Sequence, residues 1–238
     1  MSKRKSMGFL CGLFIIAVWL FMLQQLFAQS QPAAVPVEQE PHHRIVFQNQ
    51  YVRIYDALIP PGDQTLFHTH YFDSVSITVS GGTGRDETLG RPIRELKPPT
   101  GNVSFSKATN APYTHRLENV GTTPLRFVVP EVLSSSSSPG VPAVLNNVPG
   151  HKLAFENERV TVYRVSIDPD QSTDIRSRTL PWLRVSITQT TISVQVPGKS
   201  PETIETKPGD YRWHESPTTD SIKNIGSTKY EAIEIEWK

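Results

Sequence analysis

"GDQTLFHTHYFDSVSITVSG", residues 62–81, sets two histidines one residue apart at the head of a run that alternates apolar and polar side chains. On a β-strand, residues i and i+2 face the same side about 7 Å apart, so His68 and His70 can share one ion. At an offset of 108 the chain repeats these surroundings but reads "RSR", residues 176–178, where "HTH" stands.

The repeat extends outward from this point. "FQNQYVRIYDALIPPG" (47–62) lies over "FENERVTVYRVSIDPD" (155–170) without a gap. The identical "VSIT" at 75–78 and 185–188 implies a slip of two residues. "PYTHRLENVGTTPLRF" (112–127) then lies over "PTTDSIKNIGSTKYEA" (217–232) at an offset of 105. Self-similarity across a whole unit means two copies of one domain. Both copies are rich in Val, Ile, Thr and Tyr, alternate in polarity, and are punctuated by "PPGD", "KPPTGN", "VPGKSP" and "KPGDY", which predicts short antiparallel strands. The 20 prolines, and the absence of helical periodicity after residue 30, exclude a helical fold. The serine run and prolines of "LSSSSSPGVPAVLNNVPG" read as a connection between the copies, placed at 134–150.

The first thirty residues stand apart. Lys3, Arg4 and Lys5 precede an apolar segment from Gly8 to Leu23, followed by "QQLFAQSQP" with small residues at Ala28 and Ser30. This pattern predicts an export signal, and a retained N-terminal membrane anchor is the alternative for a segment of that length. Either way the folded part is expected outside the cytoplasm, periplasmic or secreted. Cys11, the chain's one cysteine, lies in this segment, so the folded part has no thiolate for a metal or a disulfide. The formal net charge of +1 turns slightly acidic once the three basic residues are removed, and no basic patch points to nucleic acid.

With Gly62, His68, His70 and Gly81 in place, the first copy resembles the cupin superfamily of small jelly-roll β-barrels. Ser74 occupies the glutamate place of the first cupin motif. His115 and Asn119 match the end of the second motif, whose usual Pro and Gly are replaced by Asn110 and Pro112. The resemblance implies an all-β fold with two tandem jelly-roll barrels at 41–133 and 151–238, and a metal held by His68, His70 and His115. The expected cofactor is one divalent transition metal: Fe, Mn, Ni or Zn. Thiol dioxygenases are cupins with three histidines and no carboxylate ligand, so the loss of the glutamate does not rule out a metal.

Asp73 is either a substitute ligand or a strand-end residue bonding nearby backbone. Strand parity places Ser74, Ser76 and Thr78 on the histidine face and Val75, Ile77 and Val79 on the other; the alternative is a bulge that reverses the phase and turns the valines into the cavity. His42, His43 and His151 are read as solvated. In the second copy His68, His70 and His115 become Arg176, Arg178 and Asp220, none of which replaces an imidazole ligand. That barrel is expected to be metal-free, plugged by an ion pair from Asp220 to Arg176 or Arg178. The alternative is an anion held by an arginine near Trp182, Arg212 or His214.

Two functions stay open: an exported metalloenzyme, dioxygenase-like or isomerase-like, with Asp73 and Tyr113 as candidate bases, and a non-catalytic cupin that binds or senses a small molecule. The partner in either case is a small molecule. The two barrels are expected to pack on each other, and homodimerisation is left open.

Overall fold

The computed structural model describes residues 33–135, 140–215 and 217–238. The expected export segment, and part of the serine run, lie outside the described residues. The first unit runs β1 (Val35–Pro36), a 3-10 turn (Val37–Gln39), β2 (His43–Gln48), β3 (Val52–Ile59), β4 (His68–His70) and β5 (Ser74–Ser80). It continues with β6 (Gly84–Thr88), β7 (Arg94–Leu96), β8 (Val103–Ser106), β9 (Tyr113–Asn119) and β10 (Leu125–Val132). The second unit runs β11 (His151–Glu156), β12 (Val160–Ile167), β13 (Arg176–Arg178), β14 (Trp182–Ser186) and β15 (Thr190–Gln195). Its remaining strands are β16 (Glu202–Thr206), β17 (Tyr211–His214), β18 (Thr218–Asn224) and β19 (Tyr230–Trp237).

Each unit is a pair of facing sheets, β1-β4-β9-β6-β7 with β2-β3-β10-β5-β8, and β13-β18-β15-β16 with β11-β12-β19-β14-β17. These are two tandem jelly-roll barrels of the cupin type. Gly62, the first motif glycine, sits at φ +79°, in the left-handed region, and Asp170 takes its place in the copy at φ 63°. Gly81 is required for a different reason: a Cβ there would lie 2.3 Å from the Pro98 carbonyl oxygen. The motif asparagine is a turn residue. Asn119 Nδ2 donates to the Ile59 and Thr123 carbonyls while its oxygen accepts from Gly121 N, and Asn224 repeats all three bonds on Ile167, Thr228 and Gly226.

The ladders revise the repeat in two places. Strand β10 sets Glu131 beside Ser74 and Val128 beside Ile77, whereas β19 sets Glu236 beside Trp182 and Ile233 beside Val185. Because β10 and β19 correspond at 105, Ile77 corresponds to Val185, and the 108 offset continues through β5 without the slip that "VSIT" suggested. Residues 143–150, expected to be connection, also belong to the repeat. The bonds Glu40 N to Val37 O and His43 N to Glu40 O recur as Val148 N to Leu145 O and His151 N to Val148 O. Pro41 and His43 thus correspond to Pro149 and His151.

Alternation decides where the apolar groups go. Val52, Ile54, Val75, Ile77, Val79 and Val128 of the first unit form one buried cluster with Val160, Val162, Leu183, Val185, Ile233, Ile235 and Trp237 of the second. The barrels therefore pack sheet on sheet through side chains that point out of each barrel. The opposite faces of the same strands line the barrel interiors, so Glu234 and Glu236 on β19 are buried inside while Ile233, Ile235 and Trp237 fill the interface.

Ile77→Ala is expected to cost about 3 kcal/mol, the range for deleting a buried aliphatic side chain. Trp182, Trp213 and Trp237 all lie in the second unit. Urea unfolding of this variant should lower the midpoint of tryptophan fluorescence together with that of far-UV circular dichroism. An unmoved tryptophan midpoint would mean that the barrels unfold independently.

Candidate metal centre

Strand β4 pairs antiparallel with β9 so that His68 stands opposite His115, and His70 opposite Tyr113. The ring centroids of His68 and His115 are 4.6 Å apart, those of His70 and His115 5.2 Å, and those of His68 and His70 5.0 Å. The three histidines singled out by the motif therefore converge inside the first barrel. A fourth joins them. His43, expected to be solvated, is the first residue of β2, with its side chain 8% exposed and its ring 4.5 Å from that of His68. One nitrogen from each of His43, His68 and His70 lies within 4.8 Å of the other two, a possible metal site.

Hydrogen bonds fix which nitrogen each ring presents. His43 Nδ1 donates to Glu40 Oε2 at 2.6 Å, His115 Nδ1 to Asp86 Oδ1 at 2.7 Å, and His68 Nδ1 to the Leu66 carbonyl at 2.9 Å. A carboxylate or a carbonyl can only accept, so all three rings carry their proton on Nδ1 and keep a lone pair on Nε2. Acceptors behind the imidazoles are the usual support of a metal site. His68 Nε2 is buried with no hydrogen-bond partner among the described residues, and His115 Nε2 lies 3.3 Å from His70 Nε2. An orphaned lone pair, and a close approach of two nitrogens, fit a cation in the space between.

The electrostatics agree. Burial, followed by the charges that His115, His43 and His70 would carry, pushes His68 down to about 2, and burial, then His115, His43 and Arg53, hold His70 well below its usual range. Both rings are neutral at physiological pH, as ligands must be. Burial alone would raise Glu40, but hydrogen bonds from His43 and His42 and the Leu66 amide outweigh it and bring the carboxyl to about 2. His42 is likewise bound rather than free, with its ring nitrogens against Glu40 and Asp63.

Asp73 is not among the converging groups. Its Oδ1 accepts from the Ala108 and Thr109 amides at 2.8 and 3.0 Å, the backbone-bonding role. Tyr113 stacks on His70 with centroids 5.0 Å apart, and burial pushes its hydroxyl up to about 12. Ser74 and Thr78 are buried on the face opposite Val75, Ile77 and Val79, as strand parity predicts. A cavity of about 560 Å³ lies elsewhere, between the barrels, lined by Val46, Val128, Arg184, Ile192, Ile204 and Tyr230 among others.

In the second barrel, ion pairs occupy the corresponding place. Arg176 Nε binds Asp220 Oδ1 at 3.0 Å, the expected pair, and Arg176 Nη1 lies 2.5 Å from His151 Nε2. His151, expected to be solvated, is buried at the position equivalent to His43. The network is wider than the sequence suggested. Arg184 binds both Glu234 and Asp220, and Arg178 binds Glu234 and pairs with Glu236 at 3.0 Å. Trp182 lies under the guanidinium groups of Arg178 and Arg184 at 4.0 and 4.8 Å, while Arg212 pairs outside with Glu202. Three arginines thus meet three carboxylates. The supporting acids have gone too: Glu40 corresponds to Val148, and Asp86, two residues past the partner of Asn119, to Val194, two past the partner of Asn224.

No protein-family model and no curated protein sequence matches the chain. Solved structures do match. AerE from Microcystis aeruginosa is 15% identical with a TM-score of 0.62, over 87% of this chain and 98% of that one. Salicylate 1,2-dioxygenase from Pseudoaminobacter salicylatoxidans, solved as adducts with gentisate, is 11% identical with a TM-score of 0.56, over 80% and 70%. The cupin 2 conserved barrel domain protein from Leptotrichia buccalis is 11% identical with a TM-score of 0.53, over 91% and 94%.

Burial alone would raise Glu234, but Arg176, Arg178 and Arg184 hold it well below its ordinary 4.5. A carboxyl depressed in the folded state contributes stability that is complete above its unfolded value and is lost as pH falls through the folded one. Glu234→Gln leaves a buried guanidinium uncompensated and should cost about 3–5 kcal/mol at neutral pH. The gap in urea midpoint between the variant and wild type should narrow by about pH 3. A gap that is constant with pH would show that Glu234 is neutral in the fold.

Proposed function

We propose, from the tandem-barrel cupin fold that this chain has, that its first barrel is a metal-dependent enzyme acting on a small molecule outside the cytoplasm. The ion is held by His68, His70 and His115, with His43 beside them as a fourth nitrogen. The observation that carries this reading is the convergence of the imidazoles: one nitrogen each of His43, His68 and His70 within 4.8 Å of one another, and His115 Nε2 3.3 Å from His70 Nε2. Uncharged nitrogen ligands suit Fe, Mn, Ni or Zn, and a divalent ion there supplies Lewis acidity or, as iron, dioxygen activation. Dioxygenase-type oxidation is the favoured reaction class, since a salicylate 1,2-dioxygenase shares the fold. The basic and apolar N-terminal run supports export.

The chain's own residues set the conditions for that chemistry. Glu40, Asp86 and the Leu66 carbonyl orient the rings, and burial of His43, His68 and His70 keeps water away from their inner edges. His115 has 20% of its side chain exposed and marks the side from which a small molecule enters. Tyr113, stacked on His70 and protonated at neutral pH, is a hydrogen-bond donor to that molecule rather than a base. With Asp73 tied to backbone as well, the second reading is a cupin that binds its ligand without turning it over.

Metal analysis should find one divalent ion per wild-type chain and a large loss in His68→Ala, and His43→Ala should weaken binding about 10-fold or more if its nitrogen is a ligand. After anaerobic loading with Fe(II), oxygen uptake with a panel of thiols, diketones and catechols is expected for wild type and abolished in His68→Ala. Ligand binding without oxygen uptake or other turnover for any loaded metal would favour the binding protein. Equal metal content in wild type and His68→Ala would remove the metal site.

A further inference from the structure

Glu131 is fully buried on β10, with Arg53 Nε and Nη2 donating to its Oε2 at 2.9 and 2.7 Å. Its other oxygen, Oε1, lies 3.8 Å from Nδ1 of His70. Both atoms are buried and neither is within a well-formed hydrogen bond among the described residues; the buried Tyr55 hydroxyl is the other donor beside Glu131. A carboxylate oxygen and an imidazole nitrogen left open toward each other inside a barrel carry a desolvation cost that one hydrogen bond would remove.

His70 can make that bond only in one tautomer. His115 keeps its proton on Nδ1 for Asp86, so its Nε2 lone pair faces His70 Nε2 at 3.3 Å, and without a cation the proton of His70 belongs between them. Once a cation takes that space, His70 must offer a lone pair from Nε2, and its proton moves to Nδ1, toward Glu131. Two further observations point the same way. Glu131 is the cross-strand neighbour of Ser74, so its side chain occupies the same face, next to the place where the cupin motif carries its glutamate. In the second barrel the equivalent Glu236 pairs with Arg178, the equivalent of His70, at 3.0 Å.

We infer that Glu131 is the positioning carboxylate of the metal centre, accepting a hydrogen bond from His70 Nδ1. The inference rests on the metal reading above. It completes a pattern in which each of the four histidines has its own acceptor: Glu40, Leu66 O, Glu131 and Asp86.

The test uses Co(II) bound to the full chain, with affinity measured by competition titration and the ring N–H protons followed by paramagnetic proton NMR. The His70 N–H signal is identified by its loss in His70→Ala. Glu131→Gln should weaken Co(II) binding about 10- to 100-fold and speed solvent exchange of the His70 N–H, and Glu131→Asp should recover part of both. Should Glu131→Gln fail to fold with Arg53 unpaired, Arg53→Gln/Glu131→Gln removes both charges and is expected to show the same two effects. Glu236→Gln should lower stability and leave Co(II) affinity unchanged. Affinity within twofold of wild type and unaltered N–H exchange in the Glu131 variants would overturn the inference. So would a Co(II) absorption spectrum that loses a ligand in Glu131→Gln, because Glu131 would then bind the ion directly. A wild-type chain that takes up no Co(II), or takes it up equally in His68→Ala, would instead defeat the metal reading, and this inference with it.

Discussion

The apolar layer between the barrels is what permits everything else in the molecule. Strands of two-residue period have one face to bury and one to spare, and here Ile77, Val128, Leu183, Ile233, Ile235 and Trp237 spend the apolar face on the partner barrel. Each such side chain contributes about 1.5–3 kcal/mol on burial. Sixteen buried residues in one cluster therefore offset interior charges whose desolvation costs several kcal/mol per ion. The second barrel adds an apolar cluster of its own, Val165, Ile167, Ile192, Val194, Ile222, Tyr230 and Ala232, beside its three arginines and three carboxylates.

Relieved of that task, the two interiors diverged along matching positions. In the first, Glu40 and Asp86 hold imidazoles by the outer nitrogen and leave the inner one free. In the second, both acids are valines, and the imidazoles of β4 and β9 are replaced by groups that satisfy one another. His43 and His151 show the same residue under two regimes. One is held by a carboxylate and contributes to an open cluster, while the other lies against an arginine inside a closed one.

The fold was legible because alternation and the 108 offset are properties of the string itself, and the His-x-His pair was legible because strand geometry turns a spacing of two into proximity. What escaped was set by pairing between distant strands. His43 has no chelating neighbour in sequence, and only its correspondence with His151 marks it. That correspondence lies four residues before the matching Phe47 and Phe155, across a stretch where few other residues coincide. Glu131, Glu234 and Glu236 read as the polar half of alternating strands, yet their alternate face is the barrel interior. The shared "VSIT" misled for a related reason: a shift of two preserves which face each residue takes, so polarity could not expose it.

The ion-pair network also ties the interior residues of the second barrel to one another. Placing an imidazole at Arg176 alone would leave Asp220 with Arg184 as its partner and loosen His151 in a dry interior, and changing Asp220 alone would leave Arg176 and Arg184 to share Glu234. Building a histidine cluster there would require several replacements at once, including both valines. The two chambers of this chain therefore cannot be interchanged one residue at a time, because each buried charge in the second answers to more than one partner.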